Sequence, residues 1–259
     1  MRRLNTACKI TLLLLVWAAQ GQATEPGLRQ DAGAFRSVYT RWTYPLRVYL
    51  PAGYAASERD YPVLYALDGR IRFDLIANRL DELNAEVIVV GIDATTNARR
   101  EIDFELPGAN AYSRFLTEEL IPWADAQYRT DPASRALAGH SLAGLMCALM
   151  LLFEDPDQRQ FDAFLISDAS FWDMPHKTEQ LVARLRVATD TVPVNLFMAA
   201  ATRGNLKGSE WFHSLMQDSA FSDLNMTYEV YKTSHKGVIE PSFRDGLGWL
   251  YGSGARGYH

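Results

Sequence analysis

Apolar positions in this chain fall in short runs separated by helical patterns, and that alternation predicts strands and helices in turn. Arg47-Val-Tyr-Leu-Pro51 alternates and then breaks at proline, which suits an early edge strand. Pro62–Leu67 and Val87–Ile92 are continuous apolar strands, with a helical pattern over Phe73–Leu83 between them. Tyr112, Phe115, Leu116, Leu120 and Trp123 share one helical face, and Pro122 predicts a kink near the end of that helix. A short strand over Ala136–Ala138 precedes Leu145–Phe153, which is apolar enough to be a buried helix. Phe164–Ser167, Pro193–Met198 and Tyr228–Tyr231 read as further strands with helical segments between them. Continuous apolar strands alternating with helices imply a mostly parallel sheet covered on both faces. The expected fold class is α/β, a three-layer sandwich with a mostly parallel central sheet.

The chain has 259 residues, 48% of them hydrophobic, enough to bury a large core as one domain. Its start differs from the rest. Met1-Arg-Arg is basic, Ile10–Ala19 is apolar, and Gly21-Gln-Ala23 ends in small residues, the layout of a secretory signal peptide. That apolar core is too short to span a bilayer stably, so no membrane span is expected after cleavage. The expected organisation is a signal peptide over 1–23, a loose polar lead-in over 24–35, one domain over 36–252 and a tail over 253–259. Periplasmic or secreted localisation follows as an expectation. Cleavage would remove Arg2, Arg3 and Lys9 and no acid, making the mature chain more acidic than its formal charge of −5. An acidic exported protein is a poor candidate for nucleic-acid binding. Cys147, inside the apolar helix, reads as a small core residue. No cysteine spacing suits zinc or haem, and no metal or organic cofactor is expected.

The chemistry gathers around Gly139-His-Ser-Leu-Ala-Gly144, which stands between a strand and a buried helix. In a nucleophile elbow the serine sits at the apex of a strained turn, and small residues must flank it two positions away on either side. Gly139 and Ala143 meet that need, so Ser141 is the expected nucleophile. A serine hydroxyl needs a base, usually histidine. His235 follows the last strand and obeys the chain order serine, acid, histidine. The acid is expected after Pro193–Met198, but Ala199–Gly208 holds no carboxylate. Glu210 is a weak candidate, at a position that also suits a helix N-terminus, and a Ser–His dyad is the alternative. The oxyanion donors expected are the N–H of Leu142 and that of Gly69 or Arg70.

In open α/β sheets the ligand crevice lies beyond the carboxyl ends of the strands. That rule selects the loops 68–72, 94–111, 168–176, 200–210 and 233–238, the second long enough to suggest a binding or lid role. Arg70, Arg72, Arg99, Arg100, Arg203, Lys207 and Lys236 fall there, mixed with Asp68, Glu101, Asp103 and Glu105. Arg99 and Arg100 are candidate contacts for an anionic substrate. Phe171 and Trp172 are candidates for stacking on an aromatic acyl group or a sugar.

Several stretches together resemble the esterase D / enterochelin-esterase-like family of α/β-hydrolases: Val48–Tyr54, Tyr61–Gly69, Val89–Asp93, Phe115–Pro122, the elbow, and Ser234-His235. They occur in the family's order over residues 45 to 250. The resemblance implies that Ser141 and His235 are nucleophile and base, with Leu142 and Gly69 or Arg70 as oxyanion donors. Two positions depart from the pattern. Ala201–Asn205 stands where many members carry the acid, and Ser167-Asp-Ala-Ser-Phe-Trp172 replaces a Ser-Pro-Ser stretch. The function expected is an exported serine esterase acting on a small-molecule ester through an acyl-enzyme, with siderophore esters of the enterochelin type one candidate. The alternatives are a carbohydrate acyl or feruloyl esterase, an acyltransferase, or a binding protein on the hydrolase frame. The oligomeric state has no signature in the sequence.

Overall fold

The computed structural model describes residues 25–253. The signal peptide expected over 1–23, and all but the first residue of the expected tail, lie outside the described residues. Eight strands form one sheet: β1 (Leu28–Arg36), β2 (Thr43–Leu50), β3 (Tyr61–Leu67), β4 (Ile88–Ile92), β5 (Thr130–His140), β6 (Ala163–Ser167), β7 (Thr191–Arg203) and β8 (Ser222–Ser234). Their spatial order is β1-β2-β4-β3-β5-β6-β7-β8. β1 and β2 are antiparallel to their neighbours, and β4 through β8 run parallel. The helices are α1 (Gly69–Leu83), α2 (Asn97–Phe104), α3 (Gly108–Arg114), α4 (Ile121–Gln127), α5 (Leu142–Phe153), α6 (Pro175–Ala188), α7 (Leu206–Asp218) and α8 (Ile239–Tyr251).

The sheet divides two cores. On one face Leu64, Ala66, Val89 and Leu165 pack against Phe73, Ile76 and Leu80 of α1 and Phe243, Leu247 and Leu250 of α8. On the other, Val63, Tyr65, Leu67, Val90 and Ile166 meet α5 and the helices around it. Both faces of the parallel strands are thus covered, which is why those strands read as unbroken apolar runs. α5 buries every residue from Leu142 to Leu152, as a helix apolar on all sides must. Cys147 is one of these, a free thiol pushed to a higher pKa by its burial.

Four expectations change. The lead-in over 24–35 is mostly strand β1, so the folded domain starts before residue 36 and β2 is not the edge. Its polar sequence hid it because an edge strand is held mainly by main-chain pairing, here with Arg29 bonded to Asp81 at 2.7 Å. Gly33, at φ 79°, marks the register shift between Asp31 and Ala34. The long connection over 94–111 contains α2 and the start of α3. Pro122 follows a π-helical turn, Phe115–Leu120, that joins α3 to α4. Proline lacks the N–H and crowds the carbonyl four residues back, and the wider turn before it keeps the helical segment continuous. Finally, β5, β7 and β8 are each much longer than their apolar cores.

Candidate active site

β5, β6 and β8 end on the same side of the sheet, at His140, Ser167 and Ser234. The next residue in each case is Ser141, Asp168 or His235, so three strand ends on one edge of the sheet, with β7 between the last two, bring these side chains together. Ser141 Oγ lies 2.9 Å from His235 Nε2, and His235 Nδ1 lies 2.5 Å from Asp168 Oδ2. With Nδ1–H donating to the carboxylate, Nε2 presents its lone pair to the Ser141 hydroxyl. That arrangement can deprotonate the serine as it attacks.

Ser141 occupies φ 61°, ψ −121°, a region costly to a residue with a Cβ. Neighbouring bonds hold it there. Its N–H donates to the Ser167 carbonyl at 2.9 Å, and its carbonyl accepts from Leu145 N–H at 3.0 Å and Ser170 N–H at 3.2 Å. A Cβ on Gly139 would stand 2.3 Å from the Ala143 carbonyl oxygen, so only glycine fits two residues before the serine. Two residues after it, Ala143 is fully buried, and Gly144 takes the close approach to Ser167 and Ala169.

Asp168 is the acid that sequence reasoning missed. It is fully buried at φ 44°, its N–H donating to the Ala199 carbonyl at 2.7 Å. Its Oδ1 accepts from the N–H groups of Ala201 (2.8 Å) and Asn205 (3.1 Å), leaving Oδ2 for His235. Those donors compensate the burial of a carboxylate. Gly204 makes room for it, since a Cβ there would lie 2.2 Å from Asp168 Oδ2. The Ala201–Asn205 stretch, which carries no acid, therefore binds one donated by the strand before it. Two signals pointed to Asp168: it lies in a selected crevice loop and obeys the serine, acid, histidine order. Glu210, exposed in the first half of α7, is not the partner of His235, and the Ser–His pair is not a dyad.

His140 is the buried companion of the site. Its ring lies 4.6 Å from that of His235, tilted by 33°. Ser242 Oγ donates to the Ile239 carbonyl at 3.1 Å, so Ser167 Oγ donates to Ser242 at 2.7 Å and accepts from His140 Nδ1 at 3.2 Å. Burial first, and then the charge of His235, push the His140 pKa from 6.5 down to about 3. The unfolded chain takes up that proton near the ordinary value, so between these limits it binds more protons than the folded protein. Stability should therefore fall as pH drops below about 6.5, by about 1.4 kcal/mol per unit from this group. Urea unfolding of the wild type and His140→Gln at about pH 7 and about pH 5 is expected to show a loss larger by about 2 kcal/mol in the wild type. Equal losses would contradict it.

The cleft beside Ser141 has a volume of about 370 Å³ and includes Arg70, Arg72, Asp93, Thr95, Arg100 and Lys236 in its walls. Asp68, at φ 57°, caps the start of α1 and accepts both Ile71 and Arg72 N–H groups on its carbonyl. The N–H groups of Gly69 and Arg70 precede these in the first turn, where a helix offers them no acceptor. Leu142 holds the same place in α5. Of the two earlier candidates Arg70 lines the cleft, while Gly69 packs so tightly on Gly91 that a Cβ would lie 2.6 Å from its carbonyl carbon.

The four substrate contacts expected from the sequence divide. Arg100 lines the cleft, although its guanidinium is engaged twice by Asp68, at 2.6 and 2.8 Å. Arg99 does not line it: the guanidinium is paired with buried Asp103 and bonded to Tyr44 Oη at 3.2 Å. Phe171 is a core residue, 1% exposed and stacked 4.3 Å from Phe212, because the turn after β6 tucks it under α7. Trp172 is 65% exposed, and its Nε1 donates to Asn205 Oδ1 at 3.2 Å. Its contact is with the residue that braces Asp168.

The model of the family described as "Putative esterase" matches residues 37–191. Ferri-bacillibactin esterase BesA of Bacillus subtilis is 27% identical over 175 residues, 54% of this chain and 59% of that protein. The chain spans between half and three-fifths of the length of the curated relatives it matches. Among solved structures, an IroE-like serine hydrolase from Shewanella oneidensis is 28% identical with a TM-score of 0.74, over 87% of this chain and 80% of that one. Siderophore hydrolase EstA of Aspergillus nidulans shares the fold at 16% identity, with a TM-score of 0.70 over 95% of this chain and 98% of that one. The sheet, the elbow and the family match agree, and the chain belongs to the "Putative esterase" family of α/β-hydrolases that its motifs resemble.

Proposed function

We propose that the protein is an exported serine esterase that hydrolyses siderophore-type esters through an acyl-enzyme. The observation that carries the serine mechanism is the unbroken hydrogen-bonded series Ser141–His235–Asp168 at the wall of an open cleft. Ser141 Oγ attacks the ester carbonyl while His235 Nε2 takes its proton. Asp168 holds the ring in the required tautomer and stabilises the imidazolium. The N–H groups of Leu142 and of Arg70, the cleft-lining member of its pair, receive the developing oxyanion. His235 then gives its proton to the departing alcohol, and an activated water releases the acid by the reverse sequence.

The substrate assignment is supported by the names of BesA and of the siderophore hydrolase that shares the fold, and export by the leader-like pattern of residues 1–23. The test is incubation of the mature protein with a catecholate trilactone siderophore, iron-free and iron-loaded, with products followed by mass spectrometry. Successive additions of water, giving linear and then shorter fragments, are expected, with none from Ser141→Ala. An intact trilactone alongside rapid cleavage of a simple aryl ester would remove the siderophore and leave the esterase.

A further inference from the structure

The charges lining the cleft do not cancel. Asp68 is held by Arg100 in a two-bond pair, and Asp93 faces Arg70 at 3.6 Å. That leaves Arg72 and Lys236, neither with an ion-pair partner among the described residues. Arg72 is the more telling. It is only partly exposed, its Nε is buried with no hydrogen-bond partner, and burial lowers its pKa without neutralising it. A buried donor without an acceptor costs free energy, and of the described guanidinium groups in that state Arg72 is the one that lines the cleft. Its charge also reaches the ring beside the nucleophile, as one of the groups that depress the basicity of His140. Lys236 follows His235 directly and lines the same cleft as Arg72 and Ser141. All this occurs on a chain whose formal charge is −5, so the local surplus is not a reflection of composition.

We infer that Arg72, assisted by Lys236, is a charge-reading site that selects esters carrying a second, anionic oxygen group near the scissile bond, a carboxylate or an aryl oxyanion. The inference rests on the esterase reading above and adds the residues that would set specificity. An anion in the cleft gives the Arg72 guanidinium a partner of opposite charge, and Arg favours planar, two-oxygen acceptors. Ile71, 55% exposed on the same wall, offers apolar surface to the body of such a ligand.

The experiment compares matched ester pairs. Para-nitrophenyl hydrogen adipate against para-nitrophenyl heptanoate places the anion in the acyl half; para-carboxyphenyl butyrate against its carboxamide places it in the alcohol half. The wild type is expected to favour the anion in at least one pair by about tenfold in kcat/KM, the size expected of one charge-assisted hydrogen bond. In that pair Arg72→Gln should lower the anionic-to-neutral ratio about tenfold, Lys236→Gln by less, and Arg72→Lys should fall between wild type and Arg72→Gln, keeping the charge but losing the two-point fork. A ratio near one in both pairs for the wild type, or a ratio that Arg72→Gln leaves unchanged, would overturn the inference. Calorimetric binding of the adipate and heptanoate esters to Ser141→Ala separates the two claims. If the wild type cleaves nothing but the variant binds adipate more tightly, the esterase reading fails and the anion site stands.

Discussion

Asp168→Asn is expected to lower kcat for ester hydrolysis about ten-thousand-fold while the protein stays folded, as judged by an unchanged far-UV spectrum and a cooperative thermal transition. The size follows from the bonds around the carboxylate. Oδ1 is fixed by two backbone donors, the N–H groups of Ala201 and Asn205, and an asparagine must keep its carbonyl oxygen there. Its amide nitrogen is then forced toward His235 Nδ1, where it donates instead of accepting. The imidazole answers by carrying its proton on Nε2, facing Ser141 with a donor where an acceptor is required. A loss of less than about tenfold would mean that the acid contributes nothing essential and that Ser141 and His235 suffice.

Gly139→Ala is expected to be nearly as damaging by a different route. The new Cβ would meet the Ala143 carbonyl oxygen at 2.3 Å and its carbon at 2.5 Å, and neither is the end of a flexible side chain. The contact can be relieved only by moving β5 against α5, and Ser141 is the hinge between them. Overpacking of this kind costs about 1–3 kcal/mol, and displacement of the serine by about 1 Å costs about a hundredfold in rate. Thermal unfolding and ester turnover measured together should both fall. A variant with unchanged midpoint and unchanged turnover would show that the elbow is less constrained than its geometry indicates.

The site was legible in the sequence where local chemistry dictates local shape. The elbow could be read because strain at Ser141 admits only small residues at 139 and 143, and His235 because it is the histidine that follows the last strand. Asp168 was not read as the acid although its loop was selected. Which strand end faces the Nδ1 side of His235 depends on sheet order and on how far β7 extends, and neither leaves a periodic mark. β7 runs to Arg203, and Ala201 near its end, with Asn205 just beyond it, holds the carboxylate of the residue that follows β6. Phe171 shows the same limit: an aromatic just past a strand end can line a cleft or plug the core, and here Phe212 decides it. Arg99 and Arg100 were indistinguishable in sequence, yet adjacent positions on a helix point apart, one to Asp103 and the other to Asp68. β1 escaped because main-chain pairing at a sheet edge asks little of side chains.

The most direct measurement of the central claim is covalent labelling of the mature protein by a fluorophosphonate, which needs an activated serine and assumes no substrate. Mass spectrometry of the labelled peptide is predicted to place one adduct on Ser141, with none in Ser141→Ala and strongly slowed labelling in His235→Ala and Asp168→Asn. A folded wild type that takes no label, or an adduct on another serine, would contradict it.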